Sequence, residues 1–191
     1  MKRQTLTLPL FVMFLASSLS AEAPDTRFQW SSEKFATECG FDWASYLKAE
    51  RVWFSDRNYS KQWARFQPEK LKTCDDCYRV GDLVDLPAGI RIARLTLSSE
   101  SGDWFHEITY CYDRGGQLRA VMSIFNNDWS YVRVYSFEHG ALKMQVSRWQ
   151  ELMSGKETSR PNTADDFKGQ WSYMPIYKSS SKLPFARLVQ Q

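Results

Sequence analysis

The stretch that decides the fold of this 191-residue chain is residues 90–150, IRIARLTLSSESGDWFHEITYCYDRGGQLRAVMSIFNNDWSYVRVYSFEHGALKMQVSRWQ. It contains five runs of strand length, which glycine, asparagine or acidic turns separate. Within the runs apolar side chains recur with a period close to two, the pattern of strands that bury one face. We therefore predict an α+β fold whose centre is an antiparallel β-meander of five to seven strands.

The loop Arg114-Gly115-Gly116 sets the predicted register of the first clear hairpin. A two-residue loop at Gly115-Gly116 would separate the apolar residues of the two strands, whereas a three-residue loop brings them to the same face. Because a slip of one residue moves every side chain to the opposite face, the three-residue loop is the preferred interpretation. It pairs Tyr112 with Leu118, Tyr110 with Ala120, Ile108 with Met122 and His106 with Ile124.

A two-residue turn at His139-Gly140 sets the next hairpin, pairs Phe137 with Leu142 and Tyr135 with Met144, and places Arg133 near Val146. These registers assign one face of the sheet to the core. The predicted core residues are Leu95, Ile108, Tyr110, Leu118, Met122, Ile124, Leu142 and Val146. The other face is half polar and is the first place to look for function. It carries Glu107, Thr109, Arg119, Lys143, Gln145 and Ser147, with Phe105, Phe125 and Trp149 among them.

The segments on either side of the sheet give weaker signals. Apolar residues recur at helical spacing from Phe35 to Leu47 and Gly40 interrupts them, which predicts a broken helix or two short helices over about 32–50. We expect this helical segment to cover one face of the sheet. The other expectations are a short strand at 52–54, a helical turn at 60–66, a last strand at 171–177, and a tail at 182–189 that either packs back or frays.

The N-terminus predicts export. A basic Met1-Lys2-Arg3 precedes an apolar run at 6–16 and a small-residue run that ends at Ala21. This order is typical of a signal peptide, residues 1–21, with cleavage after Ala21 or, alternatively, after Ala23. An uncleaved anchor is the other interpretation, but the apolar run is shorter than the roughly 20 residues that a spanning helix needs. We predict that residues 22–191 form a single exported domain, secreted or periplasmic, with no membrane span after cleavage.

The charge balance argues against nucleic acid as a partner. The chain has 25 Lys+Arg against 22 Asp+Glu, and removing Lys2 and Arg3 leaves 23 − 22, or +1. No basic run stands out, and DNA- or RNA-binding domains usually carry a strong basic patch.

Four cysteines, Cys39, Cys74, Cys77 and Cys111, favour disulfides in an exported protein. Four cysteines allow three pairings, and sequence alone does not choose among them. We predict Cys74 with Cys77 and Cys39 with Cys111. A redox dithiol at Cys74/Cys77 is the alternative, but Asp75 and Asp76 between the sulfurs would favour the thiol over the reactive thiolate.

Other catalytic patterns are weak. His106 and His139 are the only histidines, and no Gly-x-Ser-x-Gly elbow accompanies them. The acid pairs Asp75-Asp76 and Asp165-Asp166 are neighbours in polar loops, whereas glycoside chemistry needs carboxylates from two elements. The cysteine spacing is a poor match to a zinc site. We therefore predict no cofactor and no metal.

The aromatic content, 15% of residues with eight tryptophans, is the remaining functional signal. Exposed aromatic rings can form a platform for a glycan or an apolar ligand. We predict a non-catalytic domain of the cell envelope that binds a ligand or a partner protein through Trp104, Trp129, Tyr131 and Trp149. An enzyme that uses Cys74/Cys77 or His106, and a protein that docks a partner on a sheet edge, are the alternatives.

Overall fold

The computed structural model describes residues 26–56, 62–67 and 77–189. The predicted signal peptide and Cys74 lie outside these ranges. Four short α-helices are present in them: α1 (Gln29–Cys39), α2 (Trp43–Lys48), α3 (Lys168–Ser172) and α4 (Ala186–Val189). None of the helices in these ranges is long and apolar enough to cross a lipid bilayer.

Nine antiparallel strands form one sheet. The strands are β1 (Val52–Asp56), β2 (Trp63–Phe66), β3 (Arg79–Asp85), β4 (Arg91–Ser98), β5 (Phe105–Tyr112), β6 (Leu118–Asn126), β7 (Trp129–Glu138), β8 (Ala141–Glu151) and β9 (Glu157–Thr158). Their order is β2-β1-β3-β4-β5-β6-β7-β8-β9.

The α+β class and the antiparallel sheet agree with the prediction, but nine strands exceed the expected five to seven. One extra strand comes from Trp63–Phe66, where we predicted a helical turn. This segment pairs with β1, so backbone hydrogen bonding to a neighbouring strand overrides the weak local helical signal. The predicted strand at 52–54 is present as part of β1.

Two β-bulges change the predicted register. The three-residue loop is confirmed, since Asp113 N donates to Gln117 O and Tyr112 pairs with Leu118. The next pair is Cys111 with Ala120, so Arg119 is an extra residue and Tyr110 lies opposite Val121. The predicted pairs Tyr110–Ala120, Ile108–Met122 and His106–Ile124 are therefore wrong. Beyond the bulge each residue of β6 faces the side opposite to the predicted one, because the extra residue shifts the pairing by one position.

The hairpin at His139-Gly140 also has the predicted pairs next to its turn and a β-bulge beyond them. Phe137 pairs with Leu142 and Tyr135 with Met144, as predicted. A bulge follows and leaves Gln145 as the extra residue, so that Val134 lies opposite Val146 and Arg133 opposite Ser147. The predicted proximity of Arg133 to Val146 is thus off by one position.

The sheet buries both of its faces. The helical face carries Ile92, Cys111, Met122, Ile124 and Val132 and packs against α1 and α2. The cleft face carries Leu95, Ile108, Tyr110, Leu118 and Val121. Of the predicted core residues, six are buried, and Leu142 and Val146 are partly buried, but they divide between the two faces. The residues predicted to share the half-polar face are also divided between the two faces. Thr109 is buried beside Met122 on the helical face, whereas Phe125 pairs with His106 and joins an aromatic cluster.

The two N-terminal helices confirm the predicted break at Gly40. Gly40 adopts a left-handed backbone (φ 82°), which glycine tolerates without steric cost, and its N–H donates to Ala36 O. Asp42 then caps α2 by accepting hydrogen bonds from the backbone of Ala44 and Ser45. The disulfide Cys39–Cys111 joins the end of α1 to β5, as predicted, with the two Cα atoms 6.1 Å apart.

The cleft face is covered by residues 159–189, which we call the C-terminal strap. Leu183 and Phe185 are buried, so the tail at 182–189 packs back. Phe185 stacks on Phe54 at 4.5 Å between ring centroids, and a Cβ on Gly81 would lie 2.3 Å from the Phe185 ring. Gly81 thus permits this close approach.

The predicted strand at 171–177 is wrong. Trp171 belongs to α3, and residues 173–177 are irregular. Their carbonyl groups accept hydrogen bonds from sheet side chains instead: Tyr110 Oη donates to Pro175 O (2.8 Å) and Tyr112 Oη to Tyr177 O (3.1 Å). These bonds satisfy backbone groups that would otherwise need a neighbouring strand.

Candidate ligand-binding cleft

A cleft of about 260 Å³ lies between the cleft face and the C-terminal strap. The sheet side of the cleft comes from β2 to β5 and from Trp104, which precedes β5. The lining residues on this side are Trp63, Arg79, Leu95, Leu97, Ser98, Trp104 and His106.

The opposite wall consists of the C-terminal strap, which contributes Gly169, Gln170, Tyr173, Tyr177 and Pro184. Tyr173 is the most exposed aromatic residue of the cleft, at 55%. The cleft therefore combines aromatic and aliphatic walls with a small number of polar groups. This composition is typical of pockets for small molecules.

His106 is the polar group at the most buried position of the cleft, with 0% exposure. Its Nε2 lies 2.8 Å from Ser123 Oγ, which also accepts a hydrogen bond from Arg133 (2.9 Å). Arg133 in turn donates to Trp171 O of the strap (2.6 Å). The other ring nitrogen, Nδ1, is buried and has no hydrogen-bond partner in the part of the chain that the structure describes.

Burial lowers the pKa of His106 to about 3, because the charged ring would lose its hydration. The positive charge of Arg133 adds to this shift, and the backbone of Gln170 opposes it. Gln170 is thus near the ring, although it completes no hydrogen bond of normal geometry with Nδ1. The imidazole is therefore neutral at physiological pH.

Arg79 is the one cation among the described residues that line the cleft, and a buried carboxylate lies beside it. Its guanidinium lies 3.3 Å from Asp56, whose side chain is fully buried. Burial raises the pKa of Tyr177, with a further contribution from Tyr173, while Arg79 opposes the shift. Among the described residues of the cleft, the charge of Arg79 is thus matched by that of Asp56, an arrangement that suits an uncharged ligand.

The four aromatic residues predicted to bind a ligand come together, but only Trp104 lines the cleft. Trp129 is buried, and Tyr131 and Trp149 stack on each other at 4.0 Å between ring centroids. These rings form one cluster with Phe125, Phe167 and Trp171 beside the cleft. Strand pairing places Phe125, Tyr131 and Trp149 in one row. The cluster buttresses the wall of the cleft, and its role in binding stays a prediction.

The sequence did not predict most of the residues that line the cleft as binding residues. Trp63, Tyr173 and Tyr177 are isolated aromatic residues in segments without clear periodicity, and Gln170 follows a polar stretch and belongs to the short α3. The sequence indicates His106 only as the reactive group of an alternative enzyme, not as a residue that lines a cleft. Its proximity to the strap depends on long-range packing, for which the sequence carries no local signal.

The cysteines offer no catalytic group in the described part of the chain. Cys77 is buried and disulfide-bonded, and its Sγ lies 3.0 Å from Ser55 Oγ. The predicted Cys74–Cys77 bond lies outside the described residues, because Cys74 does. Within residues 26–56, 62–67 and 77–189, no group of three or more metal-ligating side chains comes together.

Comparisons of the chain with protein-family models, with curated proteins and with solved structures found no match. The geometry of the cleft is therefore the main indication of a function.

The shifted pKa of His106 predicts a specific dependence of stability on pH. Between about pH 6.5 and pH 3 the unfolded chain binds a proton that the folded state excludes, so acidification destabilises the fold. We expect His106→Gln to reduce the pH dependence of the unfolding free energy by up to about 1.4 kcal/mol per pH unit in this window. Urea unfolding at pH 4, 5, 6 and 7 measures this slope.

His139→Gln is the matched control, since His139 lies in the exposed turn between β7 and β8. It should retain the wild-type slope. Equal slopes for His106→Gln and wild type would contradict a neutral, buried His106.

Proposed function

We propose that this protein is an exported, non-catalytic binding protein that holds a small, mainly apolar molecule in the cleft between the sheet and the C-terminal strap. The observation that carries the proposal is the cleft itself, with aromatic walls at Trp63, Trp104 and Tyr173 and the buried His106. A neutral histidine paired with a serine that is itself fully buried does not form an accessible nucleophile.

The location in the secreted or periplasmic space is part of the proposal. It is supported by the order of residues 1–21 and is compatible with the Cys39–Cys111 disulfide, because disulfides persist in oxidising compartments. The proposed scaffold is an antiparallel meander whose helical face is closed by α1 and α2, which leaves the cleft face for the ligand.

The test is a titration of the purified protein with small ring compounds, followed by tryptophan fluorescence. Indane serves as the apolar probe and methyl β-D-glucopyranoside as the sugar probe. Trp63 and Trp104 line the cleft, so a bound ring should change the emission. We expect indane to bind and Tyr173→Ala to weaken its binding about tenfold, since the variant removes one aromatic wall.

Met153→Ala is the control, because Met153 is 83% exposed and lies outside the cleft. It should bind indane as wild type does. If neither probe nor any other ring compound of this size changes the emission, the proposed function is wrong. Binding of the sugar alone would redirect the proposal from an apolar ligand to a glycan.

A thiol-disulfide enzyme that uses Cys74/Cys77 is the alternative. It requires that the cysteines cycle between thiol and disulfide. Thiol titration of the native protein before and after mild reduction separates the two hypotheses, since a protein whose cysteines stay oxidised under mild reduction cannot act as a dithiol reductant.

A further inference from the structure

The hydroxyl of Tyr177 is a polar group of the cleft that no contact within the described part of the protein uses. Tyr177 lines the cleft from the C-terminal strap and is partly exposed. Its Oη has no hydrogen-bond partner among the described residues. The hydroxyls of Tyr110 and Tyr112, on the sheet below, are both engaged as donors to the strap. The Tyr177 hydroxyl thus differs from its neighbours in being available.

The packing of Tyr177 directs this hydroxyl into the cleft. On the cleft face of β5 the side chains follow one another in the order Tyr112, Tyr110, Ile108 and His106. The backbone of Tyr177 is held at Tyr112, and its ring packs edge-on against the Tyr110 ring at 5.5 Å between centroids. The cleft lies further along the same row, where His106 lines it. The ring of Tyr177 therefore extends from Tyr112 towards the cleft, with the hydroxyl at its leading end.

The electrostatic surroundings of the hydroxyl agree with this direction. Burial raises the pKa of Tyr177, Tyr173 adds to the rise, and the positive charge of Arg79 opposes it. Tyr173 and Arg79 line the cleft from its two opposite walls, so the hydroxyl lies within reach of both. Since the pKa stays above its ordinary value, the phenol keeps its proton at neutral pH and can donate a hydrogen bond.

The strap holds Tyr177 in a fixed position before any ligand binds. Tyr112 Oη donates to the carbonyl oxygen of Tyr177 (3.1 Å), and the next residue is fixed as well, because Leu118 N donates to Lys178 O (3.0 Å). A donor that is already ordered loses little conformational entropy on binding. This property distinguishes Tyr177 from Tyr173, whose side chain is mostly exposed.

We propose that the hydroxyl of Tyr177 is a specificity-determining donor, which binds the carbonyl oxygen of a small, uncharged ring compound in the cleft. This inference rests on the proposed function. The aromatic walls at Trp63 and Trp104 contact the ring of the ligand, and Tyr177 selects among ligands of similar shape by their oxygen.

The charges beside the cleft favour an uncharged oxygen over a carboxylate. Arg79 already lies 3.3 Å from the buried Asp56, so a carboxylate near Arg79 would meet a second negative charge. It would also exchange its hydration for a neutral donor, which compensates a buried ion poorly. A ketone oxygen has much less hydration to lose and needs a single donor. The volume of about 260 Å³ suits a compound of one or two rings.

Tyr177→Phe tests the inference, because it removes the hydroxyl and keeps the ring. 1-Indanone and indane share the same bicyclic frame, and only 1-indanone carries a carbonyl oxygen. We expect Tyr177→Phe to weaken the binding of 1-indanone about fivefold, the typical net effect of one hydrogen bond, and to leave the affinity for indane unchanged. Titrations followed by tryptophan fluorescence measure the four affinities.

Tyr135→Phe is the matched control. Tyr135 belongs to β7 on the same face of the sheet but does not line the cleft, so this variant should bind both compounds as wild type does. The infrared spectrum of bound 1-indanone gives a second readout, since a hydrogen-bonded carbonyl absorbs at a lower frequency than a free one. The carbonyl band should lie lower in the wild-type complex than in the Tyr177→Phe complex.

The outcomes separate the two proposals. If Tyr177→Phe binds 1-indanone as wild type does, or loses affinity for both compounds equally, the role of the hydroxyl is overturned, while the cleft remains a binding site for apolar rings. An identical carbonyl band in the two complexes overturns it as well. If wild type binds neither compound, the proposed function itself is wrong, and this inference fails with it.

Discussion

Removing the Cys39–Cys111 disulfide should lower the free energy of unfolding by about 4 kcal/mol. The two cysteines are 72 residues apart in sequence, and closing a loop of this length removes a large part of the entropy of the unfolded chain. The bond also ties α1 to β5 at positions that are both buried. Urea unfolding of wild type and of the double variant Cys39→Ala/Cys111→Ala measures the difference.

The single variants Cys39→Ala and Cys111→Ala are the controls. Each already breaks the cross-link, so the double variant should add only the small loss of packing at the second site, and the effects should be far from additive. A loss below 1 kcal/mol in the double variant would show that this bond does not restrict the unfolded state. In that case the packing of α1 and α2 on the sheet would hold the helical face without it.

The second large effect is expected at Asp82, where Asp82→Asn should destabilise the fold by about 3 kcal/mol. Asp82 is almost fully buried and accepts hydrogen bonds from Arg51 (2.8 Å) and from Arg94 (2.6 Å). Arg94 continues to Glu107 at 3.3 Å, so two cations and two carboxylates balance. Removing one carboxylate from a buried ion-pair network leaves a cation without compensation, which typically costs 3–5 kcal/mol.

Asp85→Asn is the matched control, since it changes the same residue type in the same strand. Asp85 pairs with Arg91 through two hydrogen bonds of 2.6 and 2.9 Å, but its side chain is 60% exposed, against 3% for Asp82. Solvent screens an exposed pair, so we expect a loss below about 1 kcal/mol. Thermal or urea unfolding of the two variants tests the contrast. Equal losses would mean that burial does not strengthen the dependence on Asp82.

The turns and the local periodicity made much of the sheet predictable. A loop of three residues at Arg114-Gly115-Gly116 and a turn of two residues at His139-Gly140 are encoded by nearby glycines, and both are confirmed. Gly40 likewise marks the end of α1. These features depend on backbone conformations that few residues other than glycine adopt easily.

The bulges were not predictable from the same signals. Arg119 in β6 and Gln145 in β8 are each an extra residue opposite the neighbouring strand, and β6 and β7 bury apolar residues on both faces of the sheet. A strict period of two assigns the apolar residues of each run to one face. It therefore predicts one core, whereas the protein has a core on each face of the sheet. Whether the second face of the sheet is also buried depends on whether the C-terminal strap covers it.

The cleft was not predictable from the sequence, because its residues come from distant parts of the chain. His106, Trp63 and Tyr177 lie on β5, on β2 and in the strap, and no local pattern links them. All four predicted binding residues were chosen because they are aromatic. Trp104 lines the cleft, whereas Trp129, Tyr131 and Trp149 lie in the neighbouring aromatic cluster.

The sequence by itself determined the α+β class, the antiparallel pairing and the broken helix, because these depend on short-range periodicity and turn residues. The Cys39–Cys111 bond agrees with the prediction, but the choice among three pairings came from the tertiary structure. Only the tertiary structure decided that the strap covers the second face and that His106 lies buried beside the cleft. The strap has no regular spacing of apolar residues that would predict a strand. The side chains of Tyr110 and Tyr112 donate hydrogen bonds to two of its carbonyl groups. Those hydrogen bonds exist only once distant parts of the chain have come together.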